Sequence, residues 1–256
     1  SQDMDTMRSA VFPGVIKSII TKYRRGFKHQ KLFEIANVHE VDSSNILPKE
    51  KCKVCFAVLG SYFKSNWIGK VEADNFYYLK GVAEQVLKLF TDNYDFVRSN
   101  EKFFHTGKSA DILVNGVKIG YIGELHPEYY DYLDIDEKLY IAEIDLSLLM
   151  EKGDKGLPQY RKISQYPYVY KDISLIVDRN TEAKLIYNSI KVFSDLIKDV
   201  ELFDIYSGEK IGEDKISMTF RIYFNDLNKT LTDEETNKIV GSIIDDLSKR
   251  YGATLR

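Results

Sequence analysis

"KISMTFRIYF", Lys215–Phe224, alternates so regularly that it fixes one strand and both of its faces. Ile216, Met218, Phe220, Ile222 and Phe224 point one way, and Lys215, Ser217, Thr219, Arg221 and Tyr223 the other. The apolar set needs a core, which leaves the polar set on the outer side of the sheet. Upstream, Val200–Tyr206, "VELFDIY", reads as a second strand. Simple alternation puts Phe203 and Ile205 on its apolar face, and Asp204 and Tyr206 opposite, with Leu202. Lys171–Asp178, "KDISLIVD", is a further strand with Ile173, Leu175 and Val177 inward and Asp172 and Ser174 outward.

Helices fall between these strands. Thr181–Phe193 places Leu185, Ile186, Ile190 and Phe193 on one helical stripe. Thr232 and Glu235, three apart, form a capping-box pattern that opens a helix running to about Arg250. Ile239, Ile243 and Leu247 are its inward residues. Ser207–Asp214 is a glycine-containing turn, and Ala253–Leu255 a short last strand. The order β-α-β-β-α-β is that of a ferredoxin-like sandwich, with two helices on one sheet face and the other face open. That open face collects Asp204, Tyr206, Ser217, Thr219, Arg221 and Tyr223. Rings, donors and acceptors on a sheet suit single-stranded RNA, whose bases stack and offer their edges. A polar outer face is also ordinary for a half-exposed sheet, and pattern alone leaves both readings open.

The linker chemistry of "MEKGDKGLPQY", Met150–Tyr160, divides the chain. Residues 1–150 form one domain, 151–162 the connection and 163–256 the sandwich. The first domain reads as α+β. Val11–Tyr23 has a helical period after Pro13-Gly14, and Lys31–Val41 and Lys51–Gly60 read as paired strands. Asp74 is placed to cap a helix through Leu79, Val82, Val86, Leu87 and Phe90. Asn115-Gly116 is a hairpin signal between Ala110–Val114 and Val117–Gly123. Leu139–Leu146 is a further strand. The sum is an antiparallel sheet with helices.

Composition excludes several classes. Of the 256 residues, 44% are hydrophobic and 29% charged, as in soluble globular proteins. A net charge of −3 gives no general basic field, so any nucleic-acid contact must be local. No apolar run is long enough for a membrane span. The polar, acidic start without an initiator Met reads as a piece of a longer polypeptide. Cys52 and Cys55 are three apart on a strand, hence on opposite faces, and read as buried thiols of a reducing cytoplasm rather than a disulfide or metal pair. His29, His39, His105 and His126 show no metal spacing. The basic stretch Lys22–Lys31, "KYRRGFKHQK", is either a solvated turn or a contact for phosphate or a partner chain.

Gly107-Lys108-Ser109 looks like the end of a phosphate loop, which would make the chain a nucleotide-binding enzyme. The first glycine of such a loop falls on Lys102, and a hairpin rather than a helix follows. Gly107 then serves a turn before a strand, with Lys108 solvated.

Several stretches together resemble bacterial phenylalanyl-tRNA synthetase β chains. "QYPYVYKDISLIVD" (Gln165–Asp178), "VELFDIYSGEKI" (Val200–Ile211), "KISMTFRIYF", "KTLTDEE" (Lys229–Glu235) and "YGATLR" (Tyr251–Arg256) resemble that family's ferredoxin-fold anticodon-binding domain. "DMDTMRSAVFPGVIKSI" (Asp3–Ile19), "KLFEIANVHE" (Lys31–Glu40), "FYYLKGVAEQVL" (Phe76–Leu87) and "HTGKSADILVNGVKIGYIGELHP" (His105–Pro127) resemble its catalytic-like module, a relative of the class II synthetase core.

The resemblance implies that Tyr206 stacks on an anticodon base of tRNA(Phe). Asp204 and Ser217 would bond base edges and Arg256 would meet a third position, with Arg221 on the same face. It further implies an α chain as partner in an α2β2 assembly in the cytoplasm. ATP and magnesium belong to other parts of that assembly, so no cofactor and no catalytic residue is expected here. The comparable motif strand has Phe33 where an arginine is needed before Glu34, and no G-x-G-x-x-R occurs. Without those cations the developing phosphate charge has no electrostatic support. The alternative is a small-molecule-binding, ferredoxin-like regulatory protein, since that fold hosts many ligands.

Overall fold

The computed structural model describes residues 6–61, 67, 75–156, 160, 162–208 and 211–256. The chain divides into two compact units, Ser1–Leu157 and Pro158–Arg256.

The first unit opens with helix α1, Phe12–Tyr23, whose Pro13 lies in the first turn, where a missing N–H costs nothing. Val15, Ile19 and Tyr23, four apart, form its buried stripe. Strands β1 (Gln30–Glu40) and β2 (Lys49–Leu59) pair antiparallel, as their sequences led one to expect. Helix α2 covers Asn75–Leu87; the cap expected at Asp74 lies outside the described residues. Then come β3 (Tyr94–Arg98), β4 (Phe104–Val114), β5 (Val117–Leu125), the short helix α3 (Glu128–Leu133), β6 (Leu139–Asp145) and helix α4 (Leu146–Lys152). The six strands form one antiparallel sheet in the order β1-β2-β6-β5-β4-β3.

Asn115 and Gly116 turn the β4–β5 hairpin with φ of 49° and 78°, the left-handed pair a two-residue hairpin requires. The sheet is covered on both sides. Leu79, Ala83, Leu87 and Leu149 pack on one face and Val15, Ile19 and Tyr23 on the other. All seven residues of β6 are consequently buried. Helix α4 carries this unit into the stretch whose composition reads as linker; Asp145 caps it by accepting the Leu148 N–H.

The second unit contains β7 (Val169–Asp178), α5 (Ala183–Lys191), β8 (Ile197–Tyr206), β9 (Lys215–Phe224), α6 (Asp233–Tyr251) and β10 (Thr254–Leu255). Its antiparallel sheet runs β10-β7-β9-β8, and the element order is that of the ferredoxin-like sandwich. The capping box of α6 is formed: the Thr232 side chain accepts the Glu235 N–H, and Glu235 accepts the Thr232 N–H at 3.0 Å. Ile173, Leu175, Val177, Met218, Phe220, Ile222 and Phe224 meet Ile186, Ile190, Ile243 and Leu247 in one core. Both helices lie on that side, which leaves the second face of the sheet without a helix.

Candidate nucleic-acid interface

The pairing register lays the open face out in rows across the strands. One row runs Thr254, Ile176, Ser217, Tyr206. The next holds Ser174, Thr219 and Asp204, and the Arg256 N–H joins its end by donating to the Ser174 carbonyl at 3.0 Å. The third holds Asp172, Arg221 and Glu201, and the last Tyr170, Tyr223 and Asp199. Asp204, Tyr206, Ser217, Arg221 and Arg256 therefore share one face, with Tyr206, Ser217, Asp204 and Arg256 gathered in two adjacent rows.

Ser217 is only 1% exposed although it stands on the open face. Its cross-strand neighbours are Tyr206 and Ile176. Its Oγ has no hydrogen-bond partner among the described residues. A buried hydroxyl without a partner is costly, and Gln30 Oε1 and His39 Nδ1 of the first unit share that condition. The Arg256 guanidinium lies over the Tyr206 ring at 4.8 Å, so the chain end reaches across the sheet. A side chain at Gly208 would come within 2.6 Å of the Tyr206 hydroxyl, and glycine there leaves that ring its room. Thr219 is already paired with Ser174, Oγ1 to Oγ at 2.9 Å.

Arg221 is held differently. Its Nε and one terminal nitrogen both donate to Asp172, each at 2.8 Å. The pairing holds the Asp172 carboxyl below its usual range and raises the guanidinium further. The guanidinium lies 4.7 Å from the Tyr170 ring centre and 4.5 Å from that of Phe203. Phe203 was expected on the core side with Ile205, and Leu202 on the open side. The structure reverses both placements. A bulge between Leu202 and Asp204 sets Leu202 opposite the inward Phe220 and lets Phe203 reach Arg221. The signal was present in "VELFDIY": inward apolar residues at 200, 202 and 205 break the period of two. Tyr170 was missed as well, because the strand reading began at Lys171.

The other candidates dissolve. Gly107-Lys108-Ser109 lies inside β4, not in a turn before it, and its backbone runs extended. Lys108 is half-buried rather than simply solvated, and pairs with the buried Glu124 at 3.0 Å. Cys52 is half-buried and Cys55 buried, both free, and burial pushes the Cys55 thiol up. No group of acidic, His or Cys side chains among the described residues could hold a metal ion. No described helix is long and apolar enough to cross a membrane.

Comparison with known proteins agrees with this layout. Residues 1–146 match the family model of the phenylalanyl tRNA synthetase beta chain CLM domain, and residues 164–256 that of the ferredoxin-fold anticodon binding domain. The phenylalanine–tRNA ligase beta subunit of Legionella pneumophila (strain Lens) is 33% identical over all of this chain, which covers 32% of that protein. The Bacillus subtilis (strain 168) protein of the same name is 32% identical with the same coverage. The chain thus spans about a third of the length of these relatives. A pyrrolysyl tRNA synthetase of Desulfitobacterium hafniense overlaps 56% of this chain and 48% of its own at a TM-score of 0.43 and 15% identity, a likeness on which nothing rests. With both units matched in order and relatives aligned along its whole length, the chain belongs to the phenylalanyl tRNA synthetase beta chain family.

Proposed function

We propose that residues 163–256 read the anticodon of tRNA(Phe) as part of a cytoplasmic phenylalanine–tRNA ligase β subunit. Tyr206 stacks on an anticodon base, Asp204 and Ser217 take base edges, and Arg256 meets a further position. The observation that carries this reading is the Ser217 hydroxyl, buried without a partner beside Tyr206 and Asp204. Asp204 carries no hydrogen bond or ion pair among the described residues, so its oxygens are free to accept from base amino or imino groups. Arg221 works by holding the rings beside it, because its hydrogen-bonding edge is spent on Asp172 and its guanidinium lies against Tyr170 and Phe203.

Residues 1–150 act as a non-catalytic scaffold that pairs with an α chain in an α2β2 assembly. Their side chains do not fit ATP and magnesium. Phe33 offers no charge at the motif strand, and Glu34 is tied to Arg8 at 2.7 Å. Phenylalanine activation belongs to other parts of the assembly. No observation favours the small-molecule regulatory reading.

The test is Tyr206→Ala in the full-length β chain assembled with its α chain. Loss of one base stack, roughly 1–3 kcal/mol, lowers tRNA(Phe) affinity about 5- to 150-fold. Unchanged affinity in an equilibrium titration sinks the anticodon assignment.

A further inference from the structure

We propose that Phe203, Arg221 and Tyr170 form a second stacking platform, which takes an unpaired RNA base next to the one held at Tyr206. The proposal rests on the anticodon reading above and extends it to residues outside the Tyr206–Ser217–Arg256 group.

Three observations carry it. The first is the bulge. Glu201 stands opposite the outward Arg221, Leu202 opposite the inward Phe220, and Asp204 opposite the outward Thr219, so Phe203 is the extra residue between two outward positions. The bulge thereby lets the Phe203 ring share the open face with Asp204 and Tyr206, and bulges commonly re-aim side chains beside functional sites. The second is the stack itself. Tyr170 and Phe203 remain 58% and 55% exposed while each contacts the same guanidinium. Tyr223 adds a fourth group, 6.4 Å from the Tyr170 ring centre. Aromatic rings and guanidinium planes are the surfaces on which unpaired RNA bases stack.

The third observation selects the occupant. A lone arginine on a sheet would suit a phosphate. Here the charge is met by Asp172 through two parallel hydrogen bonds, which also fix the guanidinium plane. Glu201 stands opposite Arg221 and takes the Tyr223 hydroxyl at 3.2 Å, so the guanidinium has carboxylates on both neighbouring strands and little charge left for a phosphate. A flat, neutral group is favoured, with its phosphate turned to solvent. A cleft of about 690 Å³ lined by Tyr168, Lys198, Asp199, Val200, Glu201 and Tyr223 adjoins the last row and leaves room at the platform's outer end. Ser217 and Arg221 lie four residues apart on one strand, about 13 Å, so the two sites are continuous but separate.

The experiment uses the full-length β chain assembled with its α chain and measures equilibrium binding of tRNA(Phe). Phe203→Ala is expected to lower affinity about fivefold or more, the smaller end of one base stack. Phe203→Tyr keeps a ring and is expected to stay near the parent. Phe203→Leu keeps the apolar bulk but not the stack, and is expected to behave as Phe203→Ala; it serves where the alanine variant folds poorly. Combined with Tyr206→Ala, the losses should multiply, as for separate sites. Parent-like binding by Phe203→Leu alongside weakened binding by Tyr206→Ala overturns the platform and leaves the anticodon reading standing. Parent-like binding by both variants overturns the anticodon reading and the platform with it. If Phe203→Leu instead releases the α chain on gel filtration with tRNA affinity per assembled particle unchanged, the ring belongs to a protein interface and the proposal fails.

Discussion

The two sheets follow the same alternation and put it to opposite uses. In the six-stranded sheet both faces are packed, and the carboxylate at its centre is consumed internally. Glu143, 2% exposed in the middle of β6, accepts the N–H groups of Val11 and Phe12 at 2.8 and 2.9 Å and the Tyr121 hydroxyl at 3.1 Å. Lys53 adds an ion pair at 3.4 Å. One carboxylate thereby fastens the start of α1 to the sheet, where the helix dipole favours negative charge. In the four-stranded sheet one face is a core and the other is left open, with a buried hydroxyl at Ser217 that no described group satisfies. The Glu143 carboxylate is thus spent within the protein, whereas the Ser217 hydroxyl is not.

Breaking the closed sheet gives the largest expected effect. Glu143→Ala strands two backbone donors and a lysine in a packed interior, a change that costs roughly 3–5 kcal/mol. Urea unfolding of the chain should show the first unit losing most of its stability. A loss under about 1 kcal/mol would mean the carboxylate is dispensable and the contrast between the sheets is overstated.

On the open sheet the same kind of deletion should spare the protein and harm binding. On the proposed anticodon reading, Arg256→Gln removes a charge-assisted contact to a base, worth about 1.5 kcal/mol or roughly tenfold in tRNA affinity. The lower end of the range applies because the guanidinium must first leave the Tyr206 ring. The slope of log affinity against log salt should not change. A slope reduced by about 0.7 would assign Arg256 to a phosphate instead. Ser217→Ala removes a hydroxyl that is unsatisfied in the free protein, so stability should hold or rise slightly. The affinity for tRNA should fall about 2- to 10-fold, the worth of one hydrogen bond. A destabilised Ser217→Ala protein with normal affinity would place this serine with Glu143, as structure.

What the sequence disclosed follows from how local each cause is. The faces of β9, the Asn115-Gly116 turn and the Thr232–Glu235 cap are set by residues within a few positions of one another, and all were legible. Helix α4 was not, because its cap, Asp145, ends a strand, and the glycines that follow resemble a linker. Strand β3 spans only five residues at the sheet edge and carries no turn signature of its own. At the candidate site, Asp204, Tyr206 and Ser217 could be placed from alternation, whereas the use of Arg221 could not. Its ion pair joins residues 49 positions apart, and its ring contacts depend on a bulge that only the pairing of β8 with β9 defines.

The Asp172–Arg221 pair also gives the smallest and sharpest test of the contrast. Both partners are partly exposed, so solvent screens the attraction and Asp172→Asn should cost no more than about 1 kcal/mol of stability at neutral pH. The sign with pH is fixed by the direction of the shift. The Asp172 carboxyl titrates below its ordinary value of 3.8 in the folded protein. Its contribution is therefore complete above that value and is lost as pH falls through the lower folded one. Thermal melts of the parent and of Asp172→Asn should differ by a constant amount from neutrality down to the ordinary carboxylate range, and converge below it. Affinity for tRNA should fall with Asp172→Asn even where the melts nearly coincide, because the guanidinium is no longer held flat between Tyr170 and Phe203. Melts that differ while affinity does not would make the pair a stabilising surface contact, and the open sheet would then hold one internally consumed charge like those of the closed one.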